Sequence, residues 1–268
     1  MKIAVLGGGS WGTALANVLA EQGVDVWLWV RREELAREID EQGTNTRYLA
    51  GRALSRNLRA SVDLAFVLAE AVCIVLALPC QHLGSFLCEN KALFPREPGI
   101  VCASKGMELG TFRTMGAVVR DELAGLAPRY AILSGPSFAS EVVDRMPTAV
   151  TLGCADIHLA DLVQNVFSTG LFRVYVNQDV TGVELGGAVK NIMAIASGIS
   201  DGLGFGENAR AALITRGLAE MSRLGCAMGA NPATFAGLAG VGDLFVTCTS
   251  LHSRNYRTGR EIGRGKPL

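Results

Sequence analysis

Several features that would place this chain in a specialised class are missing from its sequence. Lysine plus arginine and aspartate plus glutamate each total 25 residues, so no net charge directs the chain to nucleic acid or to an anionic membrane. Seven cysteines occur without a Cys-x-x-Cys pair, and His82, His158 and His252 show no metal-ligand spacing. We therefore expect no metal site and no disulfide framework, and free thiols favour a cytoplasmic location.

Long hydrophobic runs are also missing. The apolar stretch before Gly7 is too short for a signal peptide, and the stretch over residues 62–78 is interrupted by Asp63 and Glu70. The latter predicts a helix followed by a buried strand, not a membrane span. With 49% hydrophobic and 19% charged residues, the composition predicts a folded protein with a substantial core.

Short β-rich runs alternate with helical patterns over the first two thirds of the chain. We predict strands at residues 2–6, 25–30, 72–78, 100–104, 130–134, 149–153 and 172–176, with helices such as 11–22, 33–41 and 82–93 between them. This alternation predicts an α/β fold in which residues 1–177 form a Rossmann-type, doubly wound parallel sheet.

After residue 177 no convincing strand remains. Helical patterns over residues 183–200, 209–224 and 232–239 predict a mostly helical second domain over residues 178–268. Thr181 and Glu184 have the spacing of a capping box, in which each side chain would bond the other's backbone N–H. Residues 263–268 show no clear terminal element.

A glycine-rich turn follows the first predicted strand. Gly7, Gly9 and Gly12 form a G-x-G-x-x-G pattern between a strand and a helix, which is the context that a dinucleotide-binding loop requires. The glycines allow a tight turn and close approach to a pyrophosphate, and the helix N-terminus supplies free N–H groups. The sequence therefore predicts a dinucleotide cofactor.

The second predicted strand ends in two arginines. Arg31 and Arg32 lie where NAD-selective sites carry an acid, and arginine suits the 2′-phosphate of NADP. These residues favour NADP. Because Glu33 and Glu34 follow at once, NAD is not excluded.

Three later segments gather polar groups in apolar surroundings. Residues 134–139 have the sequence Ser-Gly-Pro-Ser-Phe-Ala and follow a predicted strand. Lys190 and Asn191 interrupt a predicted helix of small and apolar residues. Asp243 and residues 253–255, with the sequence Ser-Arg-Asn, lie further along the chain. A ketone that accepts hydride develops negative charge on oxygen, which a nearby ammonium group stabilises and protonates.

These segments resemble NAD(P)-dependent glycerol-3-phosphate dehydrogenase of the bacterial type. The resemblance runs from Gly7 to the last residue, through residues 104–106, 135–139, 186–191, 208–216, 237–243 and 253–255. It implies hydride transfer between NAD(P)H and dihydroxyacetone phosphate to give sn-glycerol 3-phosphate, which feeds phospholipid synthesis. It also implies a small phosphorylated substrate, with no nucleic acid and no membrane span. A homodimer is compatible with it.

The resemblance also implies roles for individual residues. Lys190 becomes the proton donor and acceptor. Together with the segments above, the resemblance implies substrate contacts at Lys105, Gly135, Ser137, Lys190, Asn191, Asp243, Ser253, Arg254 and Asn255. Cofactor contacts fall at Gly7, Gly9, Ser10, Trp11, Gly12, Arg31, Arg32, Lys105, Ala139 and Arg254.

Physical chemistry supports this assignment of Lys190 and Arg254. Burial and the neighbouring cations Lys105 and Arg254 would lower the pKa of the Lys190 amine towards neutrality, whereas Asp243 would oppose that shift and orient the amine. Arg254 can grip a phosphate with two parallel hydrogen bonds, and Asn255 can add a donor.

Two other functions stay open at this point. One is a related Rossmann reductase acting on another small keto substrate, against which the Ser-Arg-Asn segment argues. The other is a catalytically impaired nucleotide-binding form. Members of the resembling family continue through further helices beyond the last residue of this sequence. We therefore expect a less stable second domain and much reduced activity.

Overall fold

A single eight-stranded sheet forms the first part of the molecule. The computed structural model describes residues 1–267. The strands are β1 (Lys2–Leu6), β2 (Asp25–Trp29), β3 (Arg59–Ser61), β4 (Ala71–Leu76), β5 (Gly99–Cys102), β6 (Arg129–Ser134), β7 (Thr148–Cys154) and β8 (Phe172–Asn177). Their spatial order is β3-β2-β1-β4-β5-β6-β7-β8.

Helices cover both faces of this sheet. They are α1 (Ser10–Glu21), α2 (Glu33–Arg37), α3 (Leu64–Leu68), α4 (Cys80–Asn90), α5 (Met115–Glu122), α6 (Ala139–Val143) and α7 (Ile157–Phe167). Helices α1, α2, α6 and α7 share one apolar core with the sheet, and α3, α4 and α5 share another. Central strands buried on both faces need apolar side chains at every position, which is why Ala71–Leu76 shows no polar alternation. The predicted doubly wound sheet is confirmed.

Two features of the sheet differ from the prediction. β3 was not predicted, because three residues with an exposed arginine carry no strand pattern. β7 runs antiparallel to β6, whereas every other neighbouring pair is parallel. The connection between them, residues 135–147, contains helix α6, and the apolar run of β7 does not by itself specify its direction in the sheet.

The chain after β8 is helical. Helices α8 (Val180–Gly202), α9 (Glu207–Ala227), α10 (Pro232–Phe235), α11 (Asp243–Thr249) and α12 (Arg254–Gly263) follow one another. A third apolar core, which includes Leu185, Phe235 and Leu244, lies among them. In the described part of the chain, no helix is both long and apolar enough to cross a membrane.

The capping box predicted at the start of α8 is wrong. Asp179 is the N-cap, and its carboxylate accepts a hydrogen bond from Gly182 N at 2.9 Å. The second oxygen of Asp179 accepts from Asn231 N and from Thr234 Oγ1. An aspartate caps as well as a threonine does and lies two residues earlier, so Thr181 falls inside the helix. The Glu184 carboxylate instead accepts hydrogen bonds from the Gly116 backbone N–H and the Tyr130 hydroxyl.

Helix α12 occupies residues 254–263 and was not predicted; the residues described after it, 264–267, form neither a helix nor a strand. This helix has a polar sequence, and its packing face is made of glycines. A Cβ at Gly259 would overlap the backbone oxygen of Ile195, and one at Gly198 would overlap that of Tyr256. The backbones of α8 and α12 therefore touch, and no apolar stripe marks the contact in the sequence. Leu268 lies outside the described residues.

Candidate active site

The carboxyl edge of the sheet carries a groove at the glycine-rich turn. Gly7 adopts φ +124°, and a Cβ at Gly12 would overlap the backbone oxygen of Gly7, so both positions require glycine. A Cβ at Gly9 would meet no atom within 4 Å, which leaves open space in front of the loop. The groove has a volume of about 820 Å³.

This groove contains most of the residues predicted to contact a cofactor. Gly9 occupies the N-cap of α1, and no side chain caps that helix end. The Trp11 indole Nε1 is buried without a hydrogen-bond partner among the described residues. An oriented helix N-terminus and an unpaired donor suit a phosphorylated ligand. The predicted residues along the groove are Gly7, Gly9, Ser10, Trp11, Arg31, Arg32, Lys105 and Arg254.

A second cavity of about 710 Å³ adjoins the groove, between the sheet and the helical part. Ser10, Trp11, Tyr48, Lys105 and Arg254 line both spaces, so the groove and the cavity meet there. The other predicted residues that line the cavity are Ser137, Ala139, Lys190, Asn191, Asp243, Ser253 and Asn255.

Two predicted contacts line neither space. Gly12 lies inside α1 and packs on the glycine loop. Gly135 follows β6 with φ +141°, and its carbonyl oxygen accepts hydrogen bonds from Lys105 Nζ at 3.1 Å and from Ser137 Oγ at 3.0 Å. Ala139, predicted at the cofactor, borders the cavity and not the groove.

Two lysines share one carboxylate at the centre of the cavity wall. Asp243, the first residue of α11, is 2% exposed, and Lys190 in α8 is 7% exposed. Lys190 Nζ pairs with Asp243 Oδ1, while Lys105 Nζ lies 2.8 Å from Oδ2. Lys190 Nζ also donates to Thr247 Oγ1 at 3.0 Å. The amine is therefore held in place by partners on the helix α11.

The pKa of Lys190 is lowered to about 8. Burial is the largest cause, because it removes water from the charged form, and repulsion from Lys105 adds to it. Asp243 opposes both effects by stabilising the ammonium form. The direction of this pKa shift and the effects of Lys105 and Asp243 were predicted from the sequence, whereas Arg254, also predicted, does not contribute.

The N-terminus of α12 also lines the cavity. Ser253 is its N-cap, and Ser253 Oγ accepts from Tyr256 N at 3.2 Å. Arg254 and Asn255 begin the helix, and Asn255 Nδ2 donates to Asn191 Oδ1 at 2.7 Å. This bond joins the segment to α8 next to Lys190.

Nine residues that line the cavity were not among the predicted site residues: Tyr48, Leu49, Arg52, Phe138, Ser140, Val246, Thr247, His252 and Arg257. Thr247 lies four residues after Asp243 and Arg257 lies three residues after Arg254, so each shares a helix face with a predicted residue. That spacing was the signal that could have found these two residues. Arg257 has no ion-pair partner within residues 1–267, in contrast to Arg52, which is paired with Asp144.

Two family models match this chain. One, the NAD-dependent glycerol-3-phosphate dehydrogenase N-terminus, matches residues 2–160; the other, the C-terminus of the same family, matches residues 179–268. Among curated relatives, a glycerol-3-phosphate dehydrogenase (NAD(P)+) of Nitratidesulfovibrio vulgaris is 55% identical over the whole chain and 81% of the relative. The same-named protein of Geobacillus thermodenitrificans is 52% identical over the whole chain and 78% of the relative.

Solved structures agree with the sequence relatives. A glycerol-3-phosphate dehydrogenase from Coxiella burnetii is 43% identical with a TM-score of 0.94, covering 99% of this chain and 81% of that one. A ketopantoate reductase from Ralstonia eutropha is 17% identical with a TM-score of 0.63, covering 100% of this chain and 87% of that one. The second likeness extends to the fold alone.

Proposed function

This chain belongs to the NAD-dependent glycerol-3-phosphate dehydrogenase family, and we propose that it interconverts dihydroxyacetone phosphate and sn-glycerol 3-phosphate with NAD or NADP. The observation that carries the proposal is the buried Lys190 amine beside Asp243 and Lys105, at a cavity that opens into a dinucleotide-type groove. A proton donor, a second cation and a cofactor groove at one junction are the parts that ketone reduction needs.

Lys190 is the proton donor in this proposal. When bound, the reduced nicotinamide supplies the hydride that the carbonyl carbon accepts. The Lys190 ammonium donates a proton to the carbonyl oxygen and is left as a neutral amine, which solvent reprotonates. Asp243 and Thr247 hold the amine, and Lys105 adds positive charge near the oxygen on which negative charge develops. In the oxidation direction the neutral amine takes the proton from the substrate hydroxyl.

Arg254 and Arg257 supply charge for the substrate phosphate. Both side chains line the cavity, and their spacing places them on one face of α12. Arg254 also lines the groove, so it can serve cofactor and substrate, whereas Arg257 lines the cavity alone. Guanidinium groups bind phosphate oxygens through two parallel hydrogen bonds, and Asn255 adds an amide donor at the helix N-terminus.

The groove favours NADP over NAD. Arg31 and Arg32 line it, whereas Glu33 and Glu34 lie in the first turn of α2 and do not. An acid that hydrogen-bonds the ribose hydroxyls is therefore missing from the residues that line the groove, and two cations are available for a 2′-phosphate.

A spectrophotometric assay tests the proposed reaction. Dihydroxyacetone phosphate should consume NADPH and, more weakly, NADH, whereas unphosphorylated dihydroxyacetone should react poorly. A small keto acid serves as the competing substrate of a related reductase. Faster turnover of the keto acid would reject the proposal, and cofactor binding without turnover of any substrate would indicate a nucleotide-binding form.

A cytoplasmic role in phospholipid synthesis follows from the same proposal. All seven cysteines are free thiols, which suits a reducing compartment, and sn-glycerol 3-phosphate is a lipid precursor. A homodimer stays a prediction that sedimentation can measure.

A further inference from the structure

We propose that Glu184 is a positioning residue, whose carboxylate fixes helix α8 on the sheet and thereby places Lys190 beside Lys105. The inference rests on the proposed role of Lys190 as proton donor. Glu184 makes no contact with the cavity, so its effect on the reaction would pass through α8.

The Glu184 carboxylate bonds two separate elements of the Rossmann part. Its Oε1 accepts from the backbone N–H of Gly116 at 2.6 Å and from the Tyr130 hydroxyl at 2.7 Å. Gly116 lies in the first turn of α5, where backbone N–H groups have no partner inside the helix and carry partial positive charge. Burial raises the pKa of Tyr130 well above its usual value, so its hydroxyl stays protonated and donates.

Glu184, Gly187 and Lys190 follow one another at intervals of three residues, which places them along one ridge of α8. The middle member shows how closely this ridge meets the sheet. A Cβ at Gly187 would lie 2.7 Å from Ser134 Oγ and 3.3 Å from Lys105 Cδ. The ridge therefore follows β6 from Tyr130, at its beginning, towards Ser134, at its end.

Lys190 ends this ridge, about 9 Å along the helix axis from Glu184 at 1.5 Å per residue. Its amine meets Asp243, whose other oxygen holds Lys105. The position of α8 along β6 consequently sets the distance between the two lysines and the depth at which the Lys190 amine is buried.

Apolar packing alone would fix that position poorly. Val183, the residue before Glu184, is fully buried in the core shared with α3, α4 and α5, but hydrophobic contacts have no preferred direction and permit sliding. Hydrogen bonds lose strength steeply when their angles change. Two such bonds from one carboxylate oxygen to two elements therefore resist sliding of α8 along the sheet.

The test measures the pKa of Lys190 in the ligand-free protein by NMR of ¹³C-labelled lysine side chains. The chain has five lysines, and Lys190→Met identifies the signal. The variants are Glu184→Ala, Glu184→Gln and Tyr130→Phe. Asp179→Ala is the matched control, because it removes the N-cap of the same helix without touching either hydrogen bond of Glu184.

In the wild type the amine should titrate near 8. Glu184→Ala and Tyr130→Phe should move its pKa upward towards 10.5, because a loosened α8 admits water and separates Lys190 from Lys105. The groups that face Lys190 are Lys105, Asp243 and Cys248. Asp243 belongs to α11, which packs on α8, so it should move with Lys190 and not cancel the shift.

Turnover provides the second measurement, at a temperature where every variant is folded. Glu184→Ala should lower kcat for ketone reduction about tenfold or more, as small misplacements of reacting groups do, with little change in the KM for cofactor. Glu184→Gln should fall between it and the wild type, because its neutral amide oxygen can accept both bonds but more weakly than a carboxylate oxygen does. Asp179→Ala should lower Tm and leave the Lys190 pKa and kcat unchanged.

The proposal is overturned if Glu184→Ala lowers Tm as Asp179→Ala does but leaves the Lys190 pKa and kcat at wild-type values. The titration needs no turnover, so it separates this inference from the proposed reaction. A shifted Lys190 pKa in a protein that does not reduce dihydroxyacetone phosphate would support the positioning role and reject the reaction.

Discussion

At the scale of single residues, the two lysines of the site differ in burial, and the proposed proton exchange at Lys190 follows from that difference. Both contact Asp243, but the side chain of Lys105 is 20% exposed and that of Lys190 is 9% exposed. The more deeply buried cation loses more hydration and is the easier one to deprotonate. Loss of that proton leaves Lys105 and Asp243 as a neutral pair, so the site tolerates both protonation states of Lys190.

The first prediction concerns pH. In the proposed mechanism reduction requires the Lys190 ammonium, so kcat for dihydroxyacetone phosphate should be constant below pH 8 and fall above it. Oxidation requires the neutral amine, so kcat for sn-glycerol 3-phosphate should rise as pH passes through about 8. Initial rates across pH 6–10 measure the fall of kcat for reduction and the rise of kcat for oxidation. Lys190→Ala should abolish both pH dependences and reduce kcat about 10²-fold or more. If kcat for reduction and kcat for oxidation changed in the same direction with rising pH, Lys190 would be excluded as the acid of one reaction and the base of the other.

The second prediction separates Arg254 from Arg257. Arg254→Ala should weaken the binding of both substrate and cofactor, because the Arg254 side chain lines both the cavity and the groove. The loss in substrate binding should be about 1.5–3 kcal/mol. Arg257→Ala should raise the KM for dihydroxyacetone phosphate and leave the Kd of NADPH unchanged. Arg52→Ala is the control, because the charge of Arg52 is already balanced by Asp144. Equal effects of Arg257→Ala on phosphorylated and unphosphorylated triose would remove Arg257 from phosphate binding.

The third prediction concerns cofactor choice. Replacing Arg31 and Arg32 together by alanine should weaken the binding of NADPH more than the binding of NADH, because only NADPH carries the 2′-phosphate. Fluorescence titration of each cofactor gives the two Kd values. Arg37→Ala, at the end of helix α2, which follows these arginines, is the control and should alter neither Kd. Equal losses for the two cofactors would show that these arginines do not recognise the 2′-phosphate.

At the scale of elements, sequence patterns predicted what apolar periodicity encodes. The central strands and the long helices were found because burial on the sheet leaves continuous apolar runs. Helix α12 was missed because it packs through glycine backbones. Glu184 was assigned to a local cap because spacing along the chain cannot show that Gly116 and Tyr130 lie within reach. The approach of Lys190 to Lys105 likewise depends on how α8 meets β6.

The fourth prediction follows from the contact between α8 and α12. Gly259→Ala would place a methyl group against the Ile195 carbonyl and should cost about 1–3 kcal/mol of unfolding free energy, the usual range for overpacking. Because Arg254 and Asn255 begin α12, the KM for dihydroxyacetone phosphate should rise as well. Gly170→Ala, where a Cβ meets nothing within 4 Å, should change neither value. Chemical denaturation and steady-state kinetics measure the two effects, and a lower stability with an unchanged KM would separate α12 packing from substrate binding.

At the scale of the whole molecule, the cavity draws residues from both parts of the chain. Lys105 and Ser137 follow strands of the sheet, whereas Lys190, Asp243 and Arg254 lie on three helices of the second part. Arg254 reaches the groove formed mainly by the sheet. A ligand in the groove therefore contacts both parts, and its binding energy should oppose their separation.

The fifth prediction is that NADPH stabilises both parts together. At one hundred times its Kd, the cofactor should raise the free energy of unfolding by about 2.7 kcal/mol. All three tryptophans lie in the Rossmann part, so their fluorescence follows that part alone, whereas far-ultraviolet circular dichroism follows the helices of both. Both signals should move to higher urea concentration by the same amount, and adenosine, which has no pyrophosphate, should move neither. If only the fluorescence transition moved, the two parts would unfold independently, and Arg254 would not couple the helical part to the cofactor.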